Sequence, residues 1–210
     1  MPSQPFFLFA PGAGAPSTSR WMVAWRKRLE TLGDVVAFDY PYMRAGRKSP
    51  DRPPVLIAAH REALASAVAG LAPGRPVFLA GKSMGGRMGC HLAVEQAAAP
   101  PTLPRTSVVA ISGLICLGYP LQSGATGAMR DEVLVALRTP ILFVQGTRDP
   151  LCPLDALEDV RRRMRAPTAL HRVEGGNHSL TVGRRALQAA GETQDDVDAR
   201  TLAAIAAFLG

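Results

Sequence analysis

Cysteine, lysine and aromatic side chains are scarce in this sequence, and each shortage excludes something. Cysteine occurs only at positions 90, 116 and 152. Three cysteines cannot form a disulfide framework, and Cys90, Cys116 and Cys152 lack the spacing of a zinc site. Aromatic residues make up only 6% of the chain, which leaves little material for platforms that stack nucleic-acid bases. No apolar run approaches the roughly 18 residues that a membrane-spanning helix needs. The short apolar run Phe6–Ala10 is bracketed by Pro5 and Pro11 and has no basic start before it. It does not read as a secretory signal, so a reducing cytoplasm is the expected compartment.

Only three of the 24 basic residues are lysine, at 27, 48 and 82, and the net charge is +7. Such a balance raises nucleic acid or an anionic surface as partners. The arginines are scattered, however, except for Arg161, Arg162, Arg163 and Arg165. Leu157, Val160 and Met164 fall at helical spacing through that cluster and point to the core, which leaves the arginines on a solvated face. An arginine-for-lysine, alanine-rich composition can also reflect a GC-rich genome. No nucleic-acid or membrane partner is expected.

The chain has 210 residues, 47% of them hydrophobic, enough to bury a core without metals or disulfides. No repeat or linker divides it, so residues 1–210 are expected to form a single domain. Apolar runs alternate with amphipathic stretches. Strands are expected at Phe6–Ala10, Val35–Phe38, Val77–Ala80, Gly113–Tyr119, Ile141–Gln145 and Ala169–Val173. Helices are expected near 17–32, 55–70, 85–98, 154–165 and 195–209, the last with Leu202, Ile205 and Leu209 on one face and Asp195, Asp196 and Asp198 in its first turns. The stretch 40–54, rich in Pro, Gly and Arg, reads as a loop. The alternation predicts an α/β fold with a mainly parallel sheet of about six strands and helices on both faces. Reactive groups in such sheets collect beyond the carboxyl ends of strands.

One strand end carries a reactive pattern. Val77–Ala80 runs into Gly81-Lys82-Ser83-Met84-Gly85-Gly86, and a helix follows at once. This is G-x-S-x-G between a strand and a helix, the setting of a serine nucleophile held on a sharp turn. Gly81 and Gly85 remove side chains that would clash, and the helix N-terminus favours developing negative charge. A serine needs a base and an orienting acid. Asp149 follows the fifth strand and His178 follows the sixth. The chain order Ser83, Asp149, His178 brings all three to one edge of the sheet, and His178 is expected within hydrogen-bond reach of both partners. His60 and His91 fall within predicted helices and His171 within a strand, so they suit the base less well. Asp39 is a weaker alternative acid, and Glu174 lies too near His178 in sequence. The Met84 N–H is placed to bind an oxyanion. Ala13 N–H, in Pro11-Gly12-Ala13-Gly14-Ala15, is the favoured second donor, with Gly12 and Gly14 close behind. Cys90 and Cys116 read as small buried residues, and Cys152 is expected to be more exposed.

Several blocks together resemble a known family. They are Pro11-Gly12-Ala13-Gly14-Ala15, Tyr40-Pro41-Tyr42-Met43, Gly81-Lys82-Ser83-Met84-Gly85-Gly86-Arg87, Gly113-Leu114-Ile115-Cys116-Leu117-Gly118-Tyr119-Pro120-Leu121, Phe143-Val144-Gln145-Gly146-Thr147-Arg148-Asp149 and Asn177-His178-Ser179-Leu180. The chain is similar to small α/β-hydrolases of the KANL/Tex type, and more distantly to dienelactone hydrolases. Pro11 stands where related hydrolases often carry His. The resemblance implies the α/β-hydrolase fold with a triad at Ser83, Asp149 and His178, and it implies no defined substrate.

These readings converge on a serine hydrolase with little or no cap domain. It is expected to cleave a carboxylic ester or thioester of a small-molecule acyl substrate through an acyl-enzyme, with no metal or organic cofactor. The alternatives are a non-catalytic binding or scaffold protein on the same fold, or an acyltransferase. Gln122–Met129 and Thr181–Thr193 are expected to be mobile loops around the site.

Overall fold

A computed structural model describes residues 4–98, 110–124 and 126–210. Six strands form one sheet in the order β2-β1-β3-β4-β5-β6. They are β1 (Phe6–Ala10), β2 (Asp34–Ala37), β3 (Val77–Lys82), β4 (Ile111–Leu117), β5 (Ile141–Gly146) and β6 (Thr168–Val173). Every neighbouring pair is parallel. Parallel pairing requires a crossover between successive strands. The helices that supply these crossovers are α1 (Arg20–Leu29), α2 (Pro41–Arg44), α3 (Pro53–Val68), α4 (Met84–Ala97), α5 (Glu132–Ala136) and α6 (Leu154–Arg163). Beyond β6 come α7 (Arg184–Ala190) and α8 (Gln194–Leu209).

The two-residue period of the strands divides the core into two. Phe6 and Leu8 of β1, Leu79 of β3, Leu114 of β4 and Phe143 of β5 face α3, α4 and α6 through Leu56, Leu64, Met88, Leu92, Leu157 and Val160. Phe7 and Phe9, Phe78, Ile115 and Leu142 face the opposite way, onto Met22, Trp25 and Leu29 of α1 and Val197 and Ile205 of α8. A strand covered on both faces is apolar along its covered length, as Phe6–Ala10 and Ile141 to Val144 are. The strand order reverses at β1, so the connections after β1 and β3 leave the sheet on opposite faces. The crevice that opens there, at the carboxyl ends of these two neighbours, is where open α/β sheets bind ligands. No cap domain is evident among the described residues. None of their helices is long and apolar enough to cross a membrane.

The structure departs from the sequence expectation in several places. The stretch 181–193, expected as a mobile loop, contains α7, which ends at Gly191 in the left-handed conformation (φ 65°). No residue of α7 is buried, so it carries no apolar stripe to announce it. Its only clear signal was the terminal glycine. Within the expected 40–54 loop, Pro41 opens the single turn α2 between the buried Tyr40 and Tyr42. Proline at a first helical position is already set for the turn. The other expected loop is closed by an isolated antiparallel bridge between Gln122 and Met129. α8 does start close to where expected, at Gln194, behind a capping box in which Thr193 accepts from the Asp196 N–H. Cys152 is only 1% exposed, against the expectation, because it packs into the core beside the Leu121 backbone in the loop after β4. β4 runs over Ile111–Leu117, two residues ahead of the expected Gly113–Tyr119.

Candidate active site

Ser83 stands between the end of β3 and the start of α4 at φ 50°, ψ −116°. Positive φ is strained for a residue with a β-carbon and persists only where the surroundings enforce it. Here the enforcement is close packing. A β-carbon at Gly81 would strike the backbone of Gly86, and one at Gly85 would lie 2.5 Å from the Ala10 carbonyl oxygen. The Ser83 N–H is tied to the Leu117 carbonyl at 3.1 Å. The first turn of α4 therefore lies directly on the end of β1, and Ser83 projects from the sheet edge. We expect Gly85→Ala to destabilise the protein by about 1–3 kcal/mol through overpacking against β1. Gly14→Ala, where an added β-carbon meets nothing within 4 Å, should cost less than about 0.5 kcal/mol. Urea unfolding of both variants checks this, and equal losses would mean that the elbow packing is looser than described.

Three side chains meet at this edge. His178 Nε2 is 2.8 Å from Ser83 Oγ, and His178 Nδ1 is 2.7 Å from Asp149 Oδ2. The loop carrying His178 is held by several bonds. Asn177 Oδ1 accepts from the N–H groups of Ser179 (2.8 Å) and Thr181 (3.1 Å), and Trp21 Nε1 donates to the Ser179 carbonyl at 2.9 Å. Gly118, at φ 69°, admits the loop so closely that a β-carbon there would lie 2.5 Å from the His178 carbonyl oxygen. Asp149 is 4% exposed. Its Oδ1 accepts from the Leu151 N–H at 2.9 Å, and its Oδ2 also accepts from Gln145 Nε2 at 2.5 Å. Gln145 is itself fully buried, and its Oε1 accepts from the Tyr119 N–H at 2.9 Å. A buried carboxylate needs such partners to keep its charge.

The other histidines and acids considered as alternatives are engaged elsewhere. Asp39 accepts from the Ser17 N–H, and Glu174 accepts from Thr147 Oγ1. His171 meets Thr201, and His60 is buried against Tyr40. Met84 begins α4, so its N–H belongs to the helical turn that has no acceptor within the helix. Ala13 lies across the crevice, with its carbonyl accepting from Tyr42 Oη at 2.8 Å. Gln145 and Tyr42 were given no role from sequence. The only available signals were a polar residue closing an apolar strand four positions before Asp149, and a tyrosine in a loop block.

A cavity of about 490 Å³ opens beside Ser83 and His178. Gly12, Ala13, Gly14 and Ala15 form one wall, Trp21 and Met22 of α1 another, and Lys82 and Ser179 complete the lining near the serine. Lys82 Nζ donates to Ser179 Oγ at 2.7 Å and lies 4.4 Å from the centroid of the Trp21 ring. Burial pushes the Lys82 ammonium down to about 8, against the pull of Asp149 nearby. Among the described residues, no cluster of His, Cys, Asp and Glu could hold a metal ion.

The sequence matches the family described as alpha/beta hydrolase domain over residues 3–210. This chain belongs to the α/β hydrolase family. Solved structures share the fold of this hydrolase domain at low identity. A serine hydrolase homologue from Coxiella burnetii is 18% identical with a TM-score of 0.64, over 85% of this chain and 78% of its own. A dienelactone hydrolase from Anabaena variabilis is 16% identical with a TM-score of 0.62, over 90% and 82%. The RedJ thioesterase of prodiginine biosynthesis in Streptomyces coelicolor is 17% identical with a TM-score of 0.64, over 98% and 91%. The likeness to a dienelactone hydrolase matches the distant resemblance drawn from the sequence blocks.

Proposed function

We propose that this α/β hydrolase is a serine hydrolase that cleaves carboxylic esters or thioesters through an acyl-enzyme. The observation that carries this reading is the continuous hydrogen-bonded line from Ser83 Oγ through the His178 ring to Asp149 Oδ2. With its proton on Nδ1 donated to Asp149, His178 presents a free Nε2 lone pair to the serine hydroxyl. As Ser83 Oγ bonds to the acyl carbon, its proton passes to Nε2. The oxyanion forms beside the N–H groups of Met84 and Ala13. Collapse of the tetrahedral intermediate breaks the bond to the leaving alkoxide or thiolate, which takes the proton from His178. Water then repeats the sequence and releases the acid. Asp149, held by hydrogen bonds from Gln145 and the Leu151 N–H, fixes the ring and stabilises its cationic form. The esterase and thioesterase chemistry of structural neighbours, exemplified by the RedJ thioesterase, supports the same reaction class.

The test is labelling with a fluorophosphonate, read by mass spectrometry, alongside turnover of a short-chain p-nitrophenyl ester and a matched thioester. Stoichiometric modification of Ser83 with hydrolysis of either substrate is the expected result. Folded protein that takes no label and turns over neither substrate would return the chain to a binding or scaffold role.

A further inference from the structure

Lys82 stands inside the elbow block Gly81-Lys82-Ser83-Met84-Gly85, yet the hydrolytic steps above make no use of it. It is the last residue of β3 and adjoins Ser83. Its stem lies against Gly12, where an added β-carbon would sit 3.5 Å from Lys82 Cγ. Its ammonium therefore stands in the wall of the cavity beside the serine, not in open solvent. The polar neighbour it reaches is a neutral hydroxyl, Ser179 Oγ, and its other close neighbour is the Trp21 ring face. Among the described residues no carboxylate lies within ion-pair distance of it, whereas many of the arginines are paired on the surface. A cation drawn into a cavity with no ion-pair partner is costly, and burial pulls its proton affinity down even against the more distant charge of Asp149.

We propose that Lys82 is the anion-recognising residue of this site, and that the preferred substrates are esters or thioesters bearing a carboxylate that docks on its ammonium beside Trp21. The inference rests on the hydrolase reading of Ser83. A lysine presents a compact point charge, and with one hydroxyl beside it the site suits a carboxylate, whereas a phosphate recruits several donors. The Trp21 face holds the cation in place and supplies an apolar wall for the chain between carboxylate and scissile carbonyl. The +7 net charge draws anionic substrates towards the protein in general. Lys82 would convert that diffuse attraction into a positioned contact.

Two matched fluorophosphonates test this, one with a plain alkyl chain and one with a chain of equal length ending in a carboxylate. In each case the Ser83 oxygen bonds to phosphorus, fluoride leaves, and the serine proton passes to His178. The readout is the ratio of second-order labelling rates, carboxylate probe over neutral probe. In the wild-type protein this ratio should exceed about ten and should fall as salt is raised, since it reports an ionic contact. Lys82→Met should bring it to about one or below, and Lys82→Arg should keep it well above one. Should Lys82→Met fail to fold, Lys82→Gln, which keeps a polar group for Ser179 Oγ, takes its place with the same expected ratio. A wild-type ratio near one, or one indifferent to salt, overturns the inference while labelling itself leaves the hydrolase reading standing. Equal slowing of both probes in Lys82→Met, with the ratio unchanged, would make Lys82 a tether for the His178 loop and likewise overturn it. Labelling by neither probe in folded protein overturns the hydrolase reading and this inference together.

Discussion

Ser83→Ala should lower kcat/KM for ester hydrolysis by about four to six orders of magnitude while leaving the protein folded. The hydroxyl is the only group removed, and it lies at a partly exposed cavity wall, so no core contact is lost. Stability should hold or rise slightly, because alanine removes none of the elbow packing that enforces φ 50° at this position. His178→Ala should be comparably severe, since nucleophile and base act as one unit. Asp149→Asn should cost about four orders of magnitude, because the amide can favour the wrong imidazole tautomer. Arg148→Ala should be mild: its side chain is exposed, and the bond it makes to the Gly176 carbonyl comes from its backbone N–H. Melting temperature and hydrolysis of one ester, measured on all four variants, decide the matter. Retention of most turnover by folded Ser83→Ala would displace the nucleophile from Ser83.

The second large effect concerns acid stability and centres on His60. This histidine is fully buried in α3, where the Phe38 ring sits 5.0 Å away and Tyr40 Oη is 3.2 Å from its Nδ1. Its Nε2 is buried with no hydrogen-bond partner. Burial lowers its proton affinity from the ordinary value of 6.5 to about 3. The folded protein thus keeps His60 neutral, whereas the unfolded chain protonates it below about pH 6.5. Between these values the unfolded state binds more protons, so stability is present above pH 6.5 and is lost as pH falls towards 3. At pH 4 the loss from this one group amounts to about 3 kcal/mol. His60→Phe removes the linkage but leaves Tyr40 Oη without that partner, at a cost of about 1–3 kcal/mol at pH 7. Urea unfolding at pH 7 and pH 4 should therefore show the wild-type protein losing roughly 3 kcal/mol more than His60→Phe over that interval. Parallel losses in both proteins would show that His60 is hydrated or charged in the folded state.

Much of the architecture was legible because its signals are local and repeated. An apolar run such as Phe6–Ala10 can be buried on both faces only in a parallel sheet covered by helices. Glycines flanking a serine between a strand and a helix leave few alternatives to a tight elbow. Where the sequence misled, the local signal was weak or absent. α7 packs only the half-buried Leu187 on the core, α2 is one turn, and α5 is five residues long with only Val133 and Leu134 buried. Cys152 could be judged only by its neighbours in the chain, and its burial depends in part on the loop at Leu121, about thirty residues away.

The sequence by itself determined the α/β alternation, the elbow at Ser83 and the chain order of Ser83, Asp149 and His178, since each depends on residue type and spacing within a short window. Tertiary structure alone decided the rest. It set the strand order that opens the crevice between β1 and β3, and the burial of Gln145 against Asp149. It brought Tyr42 to the Ala13 carbonyl, and it carried the Lys82 ammonium to Ser179 and the face of Trp21. Each of these contacts joins segments whose separation along the chain carries no pattern. Close packing of two helical layers on one twisted sheet brings them together, and no local propensity encodes that meeting.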